Sequence, residues 1–312
     1  MEQIQVVVGV LKKNHQVLIS LRQKHQIYAD YWEFPGGKVE QGEKFGQALT
    51  REFKEEVGVV VTSWQPLIQI PWQYEHANVM LNVFVADQFT GDISGNEGQV
   101  IRWVDLLNLN EYKFPEANSA IIRALTLPNS YAISGSFDGV EDGLRILKNT
   151  LDSGIKLVQL RAKNLSEEAF IAFAEPAILL VHEYGAKVLL NATPKMLTKL
   201  PDADGLQLAS TAIMNLSERP ISEKKLLSIS THSDAEIAKA LSLNADMLLL
   251  SPVKKTSSHP DLDGIGWNKF EQLVQKIPVP VYALGGMKSD DIDDSKQHGG
   301  QGIAAISSFW KK

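Results

Sequence analysis

Three glutamates, Glu52, Glu55 and Glu56, follow the turn Phe34-Pro35-Gly36-Gly37, with Arg51 directly before them. At i, i+3 and i+4 they would share one face of a helix. Like charges at that spacing repel one another and weaken a helix, so a partner that offsets them is expected. A hard divalent cation is such a partner, because Mg²⁺ takes carboxylate oxygens together with substrate phosphate oxygens. Arg51 could pin one carboxylate through its planar fork. Gly36-Gly37 lets backbone come close to a metal or a phosphate, and Gly58 suits the C-terminal cap of the helix. Taken alone, three glutamates would equally make a solvated acidic face.

These residues need a framework. Residues 4–11 (IQVVVGVL) and 16–21 (QVLISL) read as strands of a hairpin around Lys12-Lys13-Asn14-His15. Residues 44–57 read as a helix, 78–86 and 100–104 as strands, and 118–125 as a short closing helix. Near Thr126-Leu127-Pro128 the rhythm changes, which places a boundary there and gives two domains, 1–127 and 128–312. Beyond it, eight short apolar runs alternate with helical patterns. That is the signature of βα units closing as a (β/α)8 barrel, shorter than the usual length of about 250 residues.

Composition narrows the function. The formal net charge is −6 and no run of five Lys or Arg occurs, so a duplex nucleic-acid partner is not expected. A free nucleotide remains compatible, since a metal can meet its charge. Cysteine is absent, which excludes disulfides and thiolate chemistry. The N-terminus lacks a basic n-region and the run Val6–Leu11 is too short to span a membrane, so a cytoplasmic protein without membrane partners is expected.

The wider spacing around the glutamates is specific. Gly37, five residues, Glu43, seven residues, Arg51-Glu52-Phe53, one residue, Glu55-Glu56, one residue, Gly58-Val59 fills every position of a motif that resembles the Nudix box. The resemblance implies an α/β/α sandwich with a mixed sheet, and hydrolysis of a nucleoside diphosphate linked to another group, with Mg²⁺ or Mn²⁺ as cofactor. It implies Glu52, Glu55 and Glu56 as metal ligands, helped by the Gly37 carbonyl. A further carboxylate outside the box is Glu97, which could also be a plain loop residue. Residues 1 to about 126 are similar to the MutT branch, which cleaves oxidised guanine nucleotides such as 8-oxo-dGTP to the monophosphate and pyrophosphate. The stretch "YWEFPGGKVEQGE" carries that similarity, and with it Arg22, Glu33, Phe34 and Asn118 are implied as nucleotide-binding residues. An Asn amide offers a donor and an acceptor and so can read a purine edge; Asn118 could instead cap the closing helix, and Arg22 could form a surface ion pair. A further substrate-side arginine of the branch aligns near Ala77 and is missing here.

The second half resembles the thiamine phosphate synthase and TenI family over residues 130–309, through "VQLRAK", "ISTHS", "SPVKKTSSH", "VPVYALGGM" and "GIAAISS". Loops after the last two strands of such barrels commonly bind phosphate. Gly285, Gly286 and Ser307 stand there, with Gln159, Arg161 and Lys163 after an earlier strand. The alternative is packing glycines and a solvated basic pair. Acids that hold Mg²⁺ in the synthase are replaced by Ala192 and by Ala209-Ser210-Thr211. Pro252 stands where the tautomerase has its histidine, while His232 and His259 lie elsewhere. The resemblance therefore implies a barrel that binds a thiazole or thiamine phosphate without synthase activity. Two other readings stay open, namely a Nudix pyrophosphatase for a thiamine-related diphosphate, or a barrel that is purely structural.

Overall fold

The computed structural model describes residues 3–74, 77–162, 164–256 and 263–311. Contacts divide the chain into two units, residues 1–126 with 275–278, and residues 127–274 with 279–312. Lys163 and His259 lie outside the described residues.

The first unit is built on a mixed sheet. β1 (Ile4–Lys13) runs antiparallel to β2 (Gln16–Leu21) and parallel to β6 (Ala77–Ala86). β3 (Trp32–Glu33) extends the β2 edge, β4 (Gly36–Lys38) pairs with β1, β5 (Gln65–Tyr74) pairs with β6, and β7 (Ile101–Asp105) pairs with β2. Asn14, at φ 57°, and His15 turn the chain between β1 and β2. α1 (Phe45–Glu52) and α2 (Asn118–Thr126) cover opposite faces of the sheet. β1 serves both cores by alternation. Val7 and Leu11 pack with Leu49 and Phe53, while Val8 and Val10 pack with Ile121 and Ala124. Gly9 lies between them because a Cβ there would come within 2.2 Å of the Phe53 ring.

Two features depart from expectation. The helix expected over 44–57 is α-helical only to Glu52; Phe53–Val57 form a π-turn, closed by the Gly58 N–H donating to Phe53 O with Gly58 at φ 78°. Such turns insert a residue into the helical repeat and are frequent at functional sites. β5 was not expected, because Pro66 and Pro71 interrupt its pattern. It is an edge strand, where a missing N–H can face away from the ladder.

The second unit is a closed parallel barrel of eight strands: β8 (Ser130–Ile133), β9 (Leu157–Leu160), β10 (Lys187–Asn191), β11 (Gly205–Leu208), β12 (Leu226–Thr231), β13 (Met247–Leu250), β14 (Val281–Leu284) and β15 (Gly302–Ala305). Its floor is apolar and aromatic, with Tyr131, Leu157, Leu189, Met247 and Tyr282 packed together and Leu127 closing it. Side chains just before two strands tie the lower rim. Asp204 accepts from the Val188 N–H and Asp246 from the Leu227 N–H, each at 2.8 Å. No helix among the described residues is long and apolar enough to cross a membrane.

Replacing Gly9 with Ala forces the Phe53 ring, and with it the π-turn, to move. We expect Gly9→Ala to lower stability by about 1–3 kcal/mol, the usual cost of overfilling a packed core. Urea unfolding measures it, and an unchanged midpoint would show that Phe53 yields freely.

Candidate active site

The site begins at Glu33-Phe34-Pro35-Gly36-Gly37, a stretch held flat on β1 by the Gly9 N–H bond to Pro35 O at 2.9 Å and by the pairing of Gly36–Lys38 with Val8–Val6. At its far end Gly37 meets Glu52 so closely that a Cβ would lie 2.2 Å from the Glu52 carboxylate. A side chain at Gly37 would have to displace that carboxylate. Glu56 accepts a hydrogen bond from the Gly36 N–H, and burial together with the charges of Glu52, Glu33 and Glu97 pushes its carboxyl up to about 8. Two carboxylates, Glu52 and Glu56, therefore meet the two glycines, with Glu33 and Glu97 within electrostatic reach of Glu56. Glu55 does not join them, since its side chain is 60% exposed and its nearest cation is Arg51 at 3.8 Å. Glu55 and Glu56 are neighbours in the π-turn and so point to different sides of it.

Arg51 positions this group. Its guanidinium grips Glu43 through two nitrogens at 2.9 and 3.1 Å, reaches Glu52 at 2.7 Å and donates to Lys38 O at 3.1 Å. Sequence spacing points to Glu43 without showing its task, which is to hold Arg51.

At the near end of the stretch, Phe34 is buried and stacks on Phe114 at 5.5 Å, while Trp32 meets Tyr112 edge-on at 5.3 Å. α2 begins at Asn118, which is 8% exposed, and its backbone N–H closes a turn onto Pro115 O. Among the described residues the Asn118 amide makes no side-chain hydrogen bond of the capping kind. Arg22 forms an ion pair with Glu33 and donates to Ile27 O at 2.7 Å. Burial raises the Glu33 carboxyl, and Arg22 draws it back down. The Glu97 side chain is exposed, and its loop is tied to Gln23 by the Nε2 bond to Glu97 O at 2.6 Å.

The residues fit a hard divalent ion. Like-charged carboxylates are gathered where repulsion alone would drive them apart, beside glycine backbone that leaves room. Among the described residues no three His, Cys, Asp or Glu side chains stand as a ready-made metal cage. An ion that keeps water and takes substrate oxygens needs only one or two protein carboxylates.

In the barrel the inward positions toward the C-terminal ends of β9 to β12 are polar. Gln159 and Gln207 are buried, and their Oε1 atoms have no partner among the described residues. The Gln207 amide is fixed by bonds to Leu208 O and Ser230 Oγ, both at 3.0 Å. Sequence reading missed Gln207, whose only signal is a polar residue in an apolar strand. Gly285 (φ 98°) and Gly286 (φ 68°) lie against the loop after β13, where a Cβ would come within 2.8 Å of Pro252 and 2.6 Å of Lys255 O. Their packing role is thus clear from the geometry. Ser307 is exposed, and Ser308 Oγ donates to Met287 O at 2.7 Å, joining the loops after β14 and β15. The Arg161 N–H donates to Ser134 Oγ at 2.7 Å. His232 is satisfied, its Nδ1 lying 2.8 Å from Ser251 O.

A mixed-sheet unit with this glutamate helix, followed by a closed parallel barrel, defines a Nudix hydrolase joined to a thiamine-synthase-type barrel. The chain belongs to both families. Residues 6–124 match the NUDIX domain, and residues 130–309 match thiamine monophosphate synthase. The first unit is accordingly a hydrolase of the class that acts on acid anhydrides. The chain is 32% identical over 126 residues to the 8-oxo-dGTP diphosphatase of Escherichia coli strain K12, covering 40% of this chain and 98% of that protein. It is 30% identical over 186 residues to the thiamine-phosphate synthase of Bacillus cereus strain ATCC 10987, covering 57% of this chain and 82% of that protein. A solved structure from work on MutT of Aliivibrio salmonicida and Vibrio cholerae shares 33% identity at a TM-score of 0.36, covering 40% of this chain and 97% of that one.

The raised Glu56 carboxyl has a thermodynamic consequence. The native state keeps this proton up to about 8 while the unfolded chain releases it near the ordinary 4.5, so this group makes the metal-free protein less stable as pH rises across that window. An ion that takes Glu56 ionised must expel the proton. We expect Mg²⁺ titrated at pH 7 to release up to one proton per ion, read by calorimetry in buffers of different ionisation heat. Binding without proton release would remove Glu56 from the ligand set.

Proposed function

We propose that the first unit hydrolyses oxidised guanine nucleoside triphosphates, 8-oxo-dGTP to 8-oxo-dGMP and pyrophosphate, in a Mg²⁺-dependent reaction that cleans the nucleotide pool. One observation carries the reading. The five residues Glu33–Gly37 run from the stacked rings of Phe34 and Phe114 to the two glycines beside Glu52 and Glu56, so a single stretch would span the two ends of a nucleotide. The similarity to 8-oxo-dGTP diphosphatases supports the base preference.

Glu52 and Glu56, with the Gly37 carbonyl, Glu97 and the rim residue Glu55, are the groups that would hold the ion. When bound, it shields the diphosphate and lowers the pKa of an attacking water. The chain's own part is positioning. Arg51 fixes Glu52 against the turn, the buried Phe34 ring anchors the backbone that would read the base, and the Asn118 amide supplies paired donor and acceptor for its edge. A site whose buried polar groups fit one hydrogen-bond pattern rejects analogues that leave them unpaired.

The test is pyrophosphate release with Mg²⁺ from 8-oxo-dGTP, dGTP and thiamine diphosphate. A strong preference for the oxidised nucleotide is expected, and activity on thiamine diphosphate alone would overturn the reading. Glu56→Gln should cut turnover by roughly a hundredfold or more with the fold intact, on the scale of losing an essential charge-stabilising group. Asn118→Ala should relax base selectivity more than it lowers the maximal rate; equal loss for all nucleotides would make Asn118 a structural residue.

For the barrel we propose binding of a thiazole or thiamine phosphate without synthase chemistry. The polar inward positions and the unpaired Gln159 and Gln207 oxygens support a ligand, while Ala192 and Ser210 leave out the acids that a metal diphosphate needs. Calorimetry with thiazole phosphate and thiamine phosphate tests this, and failure of both to bind leaves the barrel a structural element.

A further inference from the structure

The two poles of the Nudix site leave a gap that a nucleotide must fill with its sugar. Phe34 and Asn118 mark the base end, and Glu52 and Glu56 mark the diphosphate end. Glu33 belongs to the gap, being next to Phe34 in sequence and within electrostatic reach of Glu56. Arg22 and Tyr74 lie near Glu33, and Tyr28 lies near Tyr74. Arg22 pairs with Glu33. Tyr74 ends β5, packs against the same apolar cluster as Phe34 and lies within electrostatic reach of Tyr28, Arg22 and Glu33. Burial first, and then the Tyr28 phenol, raise the Tyr74 hydroxyl above its ordinary range, so it is a neutral donor at working pH.

Tyr28 is presented to this gap by an unusual backbone. It holds φ 60° and Asp30 φ 65°, a left-handed region that non-glycine residues seldom adopt. Three anchors keep that shape: Arg22 Nε donates to Ile27 O at 2.7 Å, the Arg22 N–H to Tyr31 O at 2.9 Å, and Gln23 Nε2 to Glu97 O at 2.6 Å. The outcome is a loop whose Tyr28 ring is 42% exposed and 5.4 Å from Tyr31. The cation paired with Glu33, Arg22, is thereby matched, and Ala77 carries no charge. The surroundings of the sugar are therefore phenols and a neutralised ion pair, which suit hydroxyl groups better than phosphate oxygens.

We infer that Tyr28 and Tyr74 recognise the sugar hydroxyls of the nucleotide and so set its sugar specificity. This rests on the nucleotide reading given above. Each phenol exchanges a hydrogen bond with water for one with a hydroxyl, a difference of about 1 kcal/mol or roughly fivefold in rate. Removing the hydroxyl from either partner should have the same effect, and removing both should add nothing further.

The experiment measures kcat/KM of the full chain for 8-oxo-dGTP, 8-oxo-GTP and the 2′,3′-dideoxy analogue of 8-oxo-dGTP, with Tyr28→Phe and Tyr74→Phe beside the unaltered protein. The unaltered protein should prefer the two hydroxyl-bearing nucleotides over the dideoxy form by about fivefold or more. Each Phe variant should narrow that gap by lowering only the hydroxyl-bearing rates. Equal loss on all three nucleotides, or no change in their ratio, overturns the sugar role while the hydrolase reading stands. No turnover of any of them by the unaltered protein overturns the hydrolase reading and this inference together. Thermal unfolding of both variants confirms that loss of a ring hydroxyl has not disturbed the fold.

Discussion

Mutual repulsion among carboxylates is the constraint around which the N-terminal unit is arranged. Glu33, Glu52 and Glu97 all lie within electrostatic reach of Glu56, and burial raises the cost of charging Glu56 and Glu33. Two arginines limit that cost from outside the cluster. Arg51 grips Glu52 and Glu43, and Arg22 neutralises Glu33. Neither approaches as a bare cation, since each is already shared among carboxylates and carbonyls. The remaining repulsion, centred on Glu56, is met at neutral pH by a proton that an incoming ion would replace. A metal-free protein of this design is less stable than it could be, in return for a site that is complementary to positive charge.

The barrel solves a different problem. Its floor is filled by Tyr131, Tyr282 and aliphatic side chains, and its upper interior turns polar on one side only. Buried carboxamide oxygens without donors are costly in a protein core. Gln207 shows that the cost is not an accident of a floppy side chain, because its nitrogen is held by two acceptors and its oxygen is thereby aimed. Gln207 stands toward the C-terminal end of its strand, the end where ligands of this fold class bind.

Much of this was legible in the sequence because regular periods leave marks. Eight apolar runs announced eight strands, and the runs 4–11 and 16–21 announced the hairpin of β1 and β2. The π-turn was not legible. Phe53 and Val57 are both buried at a spacing of four, which fits an α-turn as well as the wider one. β5 was hidden by Pro66 and Pro71, which argue against a strand anywhere but an edge. The residues of the site could be named from spacing, yet their commitments could not. Nothing in the sequence says that Arg22 would be spent on Glu33, that Glu43 exists to hold Arg51, or that Glu55 would turn outward while Glu56 turned in.

The alternation along β1 makes the order of residues there matter more than their nature. Val7, Leu11 and the vacancy at Gly9 serve one core, and Val8 and Val10 serve the other. Loss of a single residue between Val6 and Leu11 would leave the strand just as hydrophobic, but every side chain beyond the deletion would change faces. With the loss before Gly9, the Phe53 ring would then meet a valine side chain where the structure has room for none. Length variation in this unit should therefore be confined to the Asn14-His15 turn, where the two strands can lengthen together without exchanging their cores.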